Sequence, residues 1–150
     1  MNKIFAIIGL LFITGALFFS AQARADIPQD FQLSFINPVQ LHPSSDDIEG
    51  FRFNLIYGFN MDMQGLDLGL INQVKHDFTG LQVGLVNLDD RSAQGVQIGV
   101  LFNEATEEMH GLQVGLINHT GSLQGIQIGL LNFNDDTKYL GFFPFINAAF

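Results

Sequence analysis

The sequence predicts an all-β domain, an antiparallel up-and-down meander of about eight repeat strands closed as a small barrel. Three observations point there. A unit of the form Gly, apolar, Gln, apolar, Gly recurs at nearly constant spacing, most plainly in GLQVGLVNLDDRSAQGVQIGVLFN, residues 80–103. Within each copy the residue types alternate with period two, the signature of a strand and not of a helix. Charge falls almost wholly between the copies, with only Arg52 and Asp67 inside them.

The chain opens on MNK, an apolar run over residues 4–19 and then SAQARA. A lone Lys3, a short apolar core and the small-x-small site Ala23-Arg24-Ala25 predict a signal peptide over residues 1–25, cleaved after Ala25. A retained anchor helix is disfavoured, because spanning a bilayer takes ~20 apolar residues and this run is shorter. Residues 26–150 then form a single β-repeat domain. Four basic residues, Arg52, Lys75, Arg91 and Lys138, remain against fifteen acidic ones, a formal charge of −11 that argues against nucleic acid as a partner. With no cysteine in the chain, a disulfide framework, a Cys-ligated metal and a lipidated N-terminal Cys are excluded.

Aligned on asparagine, the copies place Asn72, Asn87, Asn103, Asn118, Asn132 and Asn147 at steps of 15, 16, 15, 14 and 15. Looser copies at residues 31–37 and 50–57 extend the series to about eight. In the copy beginning at Phe78, alternation puts Phe78, Gly80, Gln82, Gly84 and Val86 on one face and Thr79, Leu81, Val83, Leu85 and Asn87 on the other. Strands of about ten residues leave about five for each turn. A ten-residue strand spans ~33 Å and five residues reach at most ~17 Å, so the chain cannot return to start a parallel neighbour, and consecutive strands should be antiparallel. The alternative is a β-solenoid with a 15-residue coil, the repeat being bent at its glycines into short sides. One such side, DRSAQ or TEEMH, offers little apolar surface for a core.

The two faces carry the functional expectation. Gly and Gln lining a narrow interior while Leu, Val and Ile meet lipid would describe a small outer-membrane barrel, eight strands being just enough for side chains to fill the lumen. The other reading keeps the aliphatics in a soluble core and leaves the Gly/Gln face wet. The longest connection, residues 37–49, would lie outside the cell in a barrel, and the chain ends on Phe150, as many such barrels do. There is no Trp and only two Tyr, so an aromatic girdle would rest on Phe. Pro144 falls within the eighth copy, where a closed barrel needs its amide, and predicts a bulge, an edge or a seam.

The units GLQVGLVN, GVQIGVLFN, GLQVGLIN and GIQIGLLN resemble the bacterial surface-repeat protein family built from Gly-Leu-Gln-Ile-Gly-Leu-x-Asn copies. Five central copies, over residues 65–132, match it well, and the outer three match loosely. The resemblance implies export to the cell envelope and brings no catalytic residues.

Chemistry is sparse. His42, Ser44, Ser45, Asp46 and Asp47 pack a base, two hydroxyls and two carboxylates into one loop, but Ser, Pro and Asp are ordinary turn residues and closeness in sequence is not triad geometry. In an alternating meander, Asp46, Asp47, Glu49, Asp77, Glu104, Glu107, Glu108, Asp135 and Asp136 would share one rim with Lys75 and Lys138, an acidic site for Ca²⁺ or Mg²⁺. His76, His110 and His119 lack a ligand spacing, and Asn118-His119-Thr120 is a glycosylation triplet. No catalytic, cofactor or metal residue is assigned, and no enzyme activity is expected. The expected protein is a cell-envelope or outer-membrane barrel of a Gram-negative bacterium with a structural or surface-interaction role, touching outer-membrane lipid and, at its rim, divalent cations. The alternatives are a soluble periplasmic or secreted module that binds a partner through its Gly/Gln face, and a barrel enzyme acting on envelope lipids through the His42 loop.

Overall fold

A computed structural model describes residues 29–137 and 141–150; the predicted signal segment lies outside them. Seven strands make one sheet: β1 (Phe31–Ile36), β2 (Val39–Gln40), β3 (Ile48–Asn60), β4 (Met63–Val74), β5 (Phe78–Asp89), β6 (Ser92–Asn134) and β7 (Phe142–Ala149). Their spatial order is β2-β1-β3-β4-β5-β6-β7. From β1 through β3, β4 and β5 to β6 every pairing is parallel, and only β2 and β7 run antiparallel to their neighbours. The chain winds as a β-solenoid. This overturns the expected antiparallel barrel and selects the 15-residue coil.

The reason lies in the shape of each copy. In β5, Phe78, Gly80 and Gln82 alternate inward as far as Gly84, but Leu85 and Val86 then both face out, and Asn87 and Asp89 turn back in. That outward pair breaks the period of two and folds the strand into two facing limbs. A straight ten-residue strand would forbid a parallel return; a strand folded in half brings its ends together, and the short turn at Asp90 and Arg91 suffices to start the next coil on the last. Residues one repeat apart therefore stack: Phe78 on Ala93, Gly80 on Gly95, Gln82 on Gln97 and Asn87 on Asn103. The folding also moves Asn87 and its equivalents from the aliphatic face, where strict alternation placed them, to the interior.

The irregular steps become legible in this geometry. The 16-residue step adds one residue at the bend, where Val86 pairs with Phe102 after a register shift and both Val100 and Leu101 are pushed outward. The 14-residue step follows Asn118, where the turn through Thr120, Gly121 and Ser122 is one residue shorter than its counterpart after Asn103. β6 carries three copies through such turns in one unbroken 43-residue strand.

One glycine position is compulsory. Gly80 has φ +141, and a Cβ there would overlap the carbonyl oxygen of Gly65 in the coil before it; Gly50, Gly65, Gly95, Gly111 and Gly125 continue this column with positive φ. Only glycine adopts that backbone without strain while letting successive coils approach so closely.

Both ends depart from the repeat. After β1, the loop holding β2 folds back on its outer edge. The copy at residues 140–147, expected as another strand of the series, reverses direction, so that β7 lies antiparallel over the last coil with Asn147 opposite Gln127. Pro144 sits in this terminal strand at a register shift, next to Phe145 at φ 68. Its missing amide is tolerated because the strand is at the edge of the sheet.

Candidate functional site

The interior holds most of the polar chemistry. An apolar column, Ile48, Met63, Phe78, Ala93, Met109 and Leu123, forms the hydrophobic core near the turns together with Val74 and Ala105 of the opposite limb. The rest of the space between the limbs is filled by amides. Gln97 Nε2 donates to Gln82 Oε1 at 3.1 Å and across the core to Glu104 O at 3.3 Å. Gln113 does the same toward Gln97 Oε1 (2.7 Å) and His119 O (3.3 Å), and Gln127 toward Gln113 Oε1 (2.8 Å) and Phe133 O (3.0 Å). Asn147 of the reversed strand donates to Gln127 Oε1 at 2.8 Å and closes the column. Fully buried amides are stable here because both their donors and acceptors are satisfied.

A second column runs the other way. Asn54 Nδ2 donates to Asn72 Oδ1, Asn72 to Asn87, Asn87 to Asn103, Asn103 to Asn118 and Asn118 to Asn132, at 2.8 to 2.9 Å. The glutamine ladder thus donates toward the N-terminus and the asparagine ladder toward the C-terminus, so their aligned amide dipoles oppose each other.

The glutamine ladder ends on charge. Asp67 Oδ2 accepts from Gln82 Nε2 at 3.0 Å, and the same carboxylate takes a bidentate pair from Arg52, Nε to Oδ1 at 2.8 Å and Nη2 to Oδ2 at 2.6 Å. Arg52 also reaches Asn60 Oδ1 and Gln73 O, both at 3.2 Å. Nearby Asp89, expected in a turn, is buried; it accepts from Gln97 Nε2 at 2.8 Å and Gln82 Nε2 at 3.4 Å. Burial, reinforced by the Asp67 carboxylate, holds its carboxyl well above the usual carboxylate range, although the Gln82 hydrogen bond and Arg52 pull the other way. These groups are buried and satisfied by one another, so they hold the fold together.

The His42 loop does not assemble a triad. His42 is buried with its backbone pinned by Gln32, whose Oε1 accepts from His42 N at 2.9 Å and whose Nε2 donates to His42 O at 3.0 Å. Its ring Nε2 has no partner, while Ser45 Oγ turns to Asp46 Oδ1 at 3.3 Å.

The turn residues share a single edge, because parallel coils stack all their turns together; the expected rim made of alternate connections does not form. Charges pair there from coil to coil: Lys75 Nζ to Asp90 Oδ2 at 2.7 Å, and Arg91 to both Asp77 and Glu107 at 3.6 Å. His119 sits between Glu104 Oε1 and Asp135 Oδ2, each at 3.2 Å, a bridge invisible to linear spacing because its members lie about one coil apart. A recess on this edge is lined by Ser92, Glu108 and His110, with His110 Nε2 at 3.1 Å from Glu108 and no hydrogen bond from Ser92 among the described residues. Among the described residues no group of three or more His, Cys, Asp or Glu is placed to hold a metal ion. Asn118 of the glycosylation triplet is fully buried and donates to Ile128 O at 3.0 Å, which closes it to a glycan.

The outer surface is left. The Gly/Gln face expected to receive a partner is interior, with Gln82, Gln97, Gln113 and Gln127 fully buried. The aliphatic face is outside: Leu70, Leu85, Val100, Leu116 and Leu130 project from the bends and rank among the exposed large hydrophobics of the chain. Comparison with protein-family models, curated proteins and solved structures finds no match to this chain.

Proposed function

We propose that the chain is an exported cell-envelope protein with a structural or surface-interaction role, and that its working surface is the aliphatic exterior of the solenoid. One observation carries this reading: a row of exposed aliphatics, Leu55, Leu70, Leu85, Val100, Leu116 and Leu130, runs unbroken from coil to coil with no charge in it. Contiguous apolar surface beyond a few hundred Å² marks an interaction site in a folded protein. The row repeats once per coil and so extends over the length of the ladder, ~4.8 Å per coil.

Export rests on residues 1–25, and the likeness of the repeat units to surface-repeat proteins points the same way. The test is expression in a Gram-negative host followed by fractionation and N-terminal sequencing. The expected product begins at Asp26 and stays with the envelope pellet through a high-salt wash; an intact Met1 terminus on a cytosolic protein would overturn the reading.

A further inference from the structure

Across its width the solenoid has a polarity gradient. At the bend edge every outward position is aliphatic, and Val100, Leu130 and Leu116 are 58%, 54% and 50% exposed. One position back on the first limb come Leu68, Val83, Ile98, Val114 and Ile128; on the second limb come Ile71, Val86, Phe102, Ile117 and Leu131. The first limb keeps a third aliphatic row, Leu66, Leu81, Val96, Leu112 and Ile126, before Gln64, Thr79, Gln94 and His110; on the second limb Gln73, Glu104 and His119 already share the next row with Leu88 and Phe133. At the turn edge itself stand Lys75, Asp77, Asp90, Arg91, Glu107 and Glu108.

We infer that the bend edge is a lipid-contacting keel, which lies in the surface of a membrane with its turn edge in water. This deepens the interaction reading above and rests on it. A protein partner seated on one limb would call for apolar residues on that limb alone, whereas here the aliphatic rows wrap around the bend onto both limbs, one row further on the first, and both limbs end in charge at the turns. The two outward positions nearest the bend lie within ~10 Å of it at 3.3 Å per residue, a depth that matches the ~5–10 Å reached by interfacial amphipathic elements. The backbone suits the same setting. Along both limbs its N–H and C=O groups pair between coils in the parallel ladder, as backbone in contact with hydrocarbon must. Charge sets the lipid class. The turn edge and the net charge of −9 for the whole chain are acidic, so a zwitterionic bilayer receives the keel more readily than an anionic one.

The chain has no cysteine, so one label can be placed at will. The full-length protein would carry Leu85→Cys or Leu116→Cys at the bend, or Thr106→Cys at the turn edge, each coupled to an environment-sensitive fluorophore. Each would then be mixed with phosphatidylcholine vesicles containing brominated acyl chains. The expected result is a blue shift and bromine quenching at positions 85 and 116, and neither at 106. Because each label reports its own surroundings, vesicle binding through the N-terminal segment alone leaves the bend labels wet and overturns the proposal. Shielding of the bend labels without vesicles, growing with protein concentration, identifies a second copy as the occupant; it removes lipid and leaves the interaction reading standing. Bend labels that stay wet under every condition remove both.

Discussion

The two stretches of the glutamine column do the same geometric work with different chemistry. At Gln97, Gln113 and Gln127 the positions are neutral and each amide hands a hydrogen bond to the coil before it. At Arg52 and Asp67, the same register positions hold a buried ion pair. The difference teaches that a directional ladder has a boundary problem. Every glutamine donates toward the N-terminus, so the last one needs an acceptor that owes no further donation. A carboxylate is such a group, and Arg52 supplies the charge that makes its burial tolerable. The asparagine column meets the mirror-image problem and leaves it open: Asn54 Oδ1, at its starting end, is buried without a partner, because Ser34 in the preceding strand donates to Tyr57 O instead.

The largest expected effect comes from breaking the charged boundary. Asp67→Ala strands a buried guanidinium and is expected to cost about 3–5 kcal/mol in urea unfolding. The paired change Arg52→Gln with Asp67→Gln extends the neutral ladder and is expected to recover that loss. A double variant as unstable as the single one would show that the boundary needs charge and not merely occupancy.

Next comes the neutral stretch. Gln113→Ala leaves Gln97 Oε1 and His119 O without their donor and is expected to cost about 1–3 kcal/mol, less than Asp67→Ala under the same conditions. Equal losses would erase the distinction between the two regions.

The smallest effect sharpens the comparison through pH. Asp89 has its carboxyl raised in the folded state, so the folded chain binds the proton more tightly than the unfolded one. Its contribution to stability is full below the unfolded value of about 3.9 and is lost as pH rises through the folded value. Asp89→Asn keeps an oxygen for Gln82 and Gln97 and removes that loss. The urea midpoint of the variant should exceed the parent at pH 8 and match it near pH 4; a difference of the same size at both pH values would mean that burial of the charge is not its source.

Much of this was legible before any coordinates. The repeat, its period of two and the segregation of Gly and Gln from the aliphatics all follow from GLQVGLVN and its copies. Strand direction was not, because strict alternation puts Leu85 and Val86 on opposite faces, when Leu85-Val86, Leu116-Ile117 and Leu130-Leu131 are bends that reverse the chain. The poverty of apolar residues in DRSAQ and TEEMH also misled, since it was weighed against a hydrophobic core, whereas most of this interior is closed by amides. Recurrence of Gln at 82, 97, 113 and 127 and of Asn at 72, 87, 103, 118 and 132 was the available signal: in-register stacking is what lets identical amides bond to each other, coil upon coil. Partners such as His119 with Glu104 become neighbours only once that stacking is known.

The reversed strand β7 has a consequence for heredity. Each coil offers the next the donors and acceptors it received from the last, and β7 meets the final coil through Gln127, Asn132 and the ring of Phe133. A gene with near-identical repeats is prone to gain or lose one by unequal recombination, an accident that ruins most proteins. Here the shortened or lengthened product keeps its ladders in phase and still meets its lid, so the length of this protein is open to selection in whole coils.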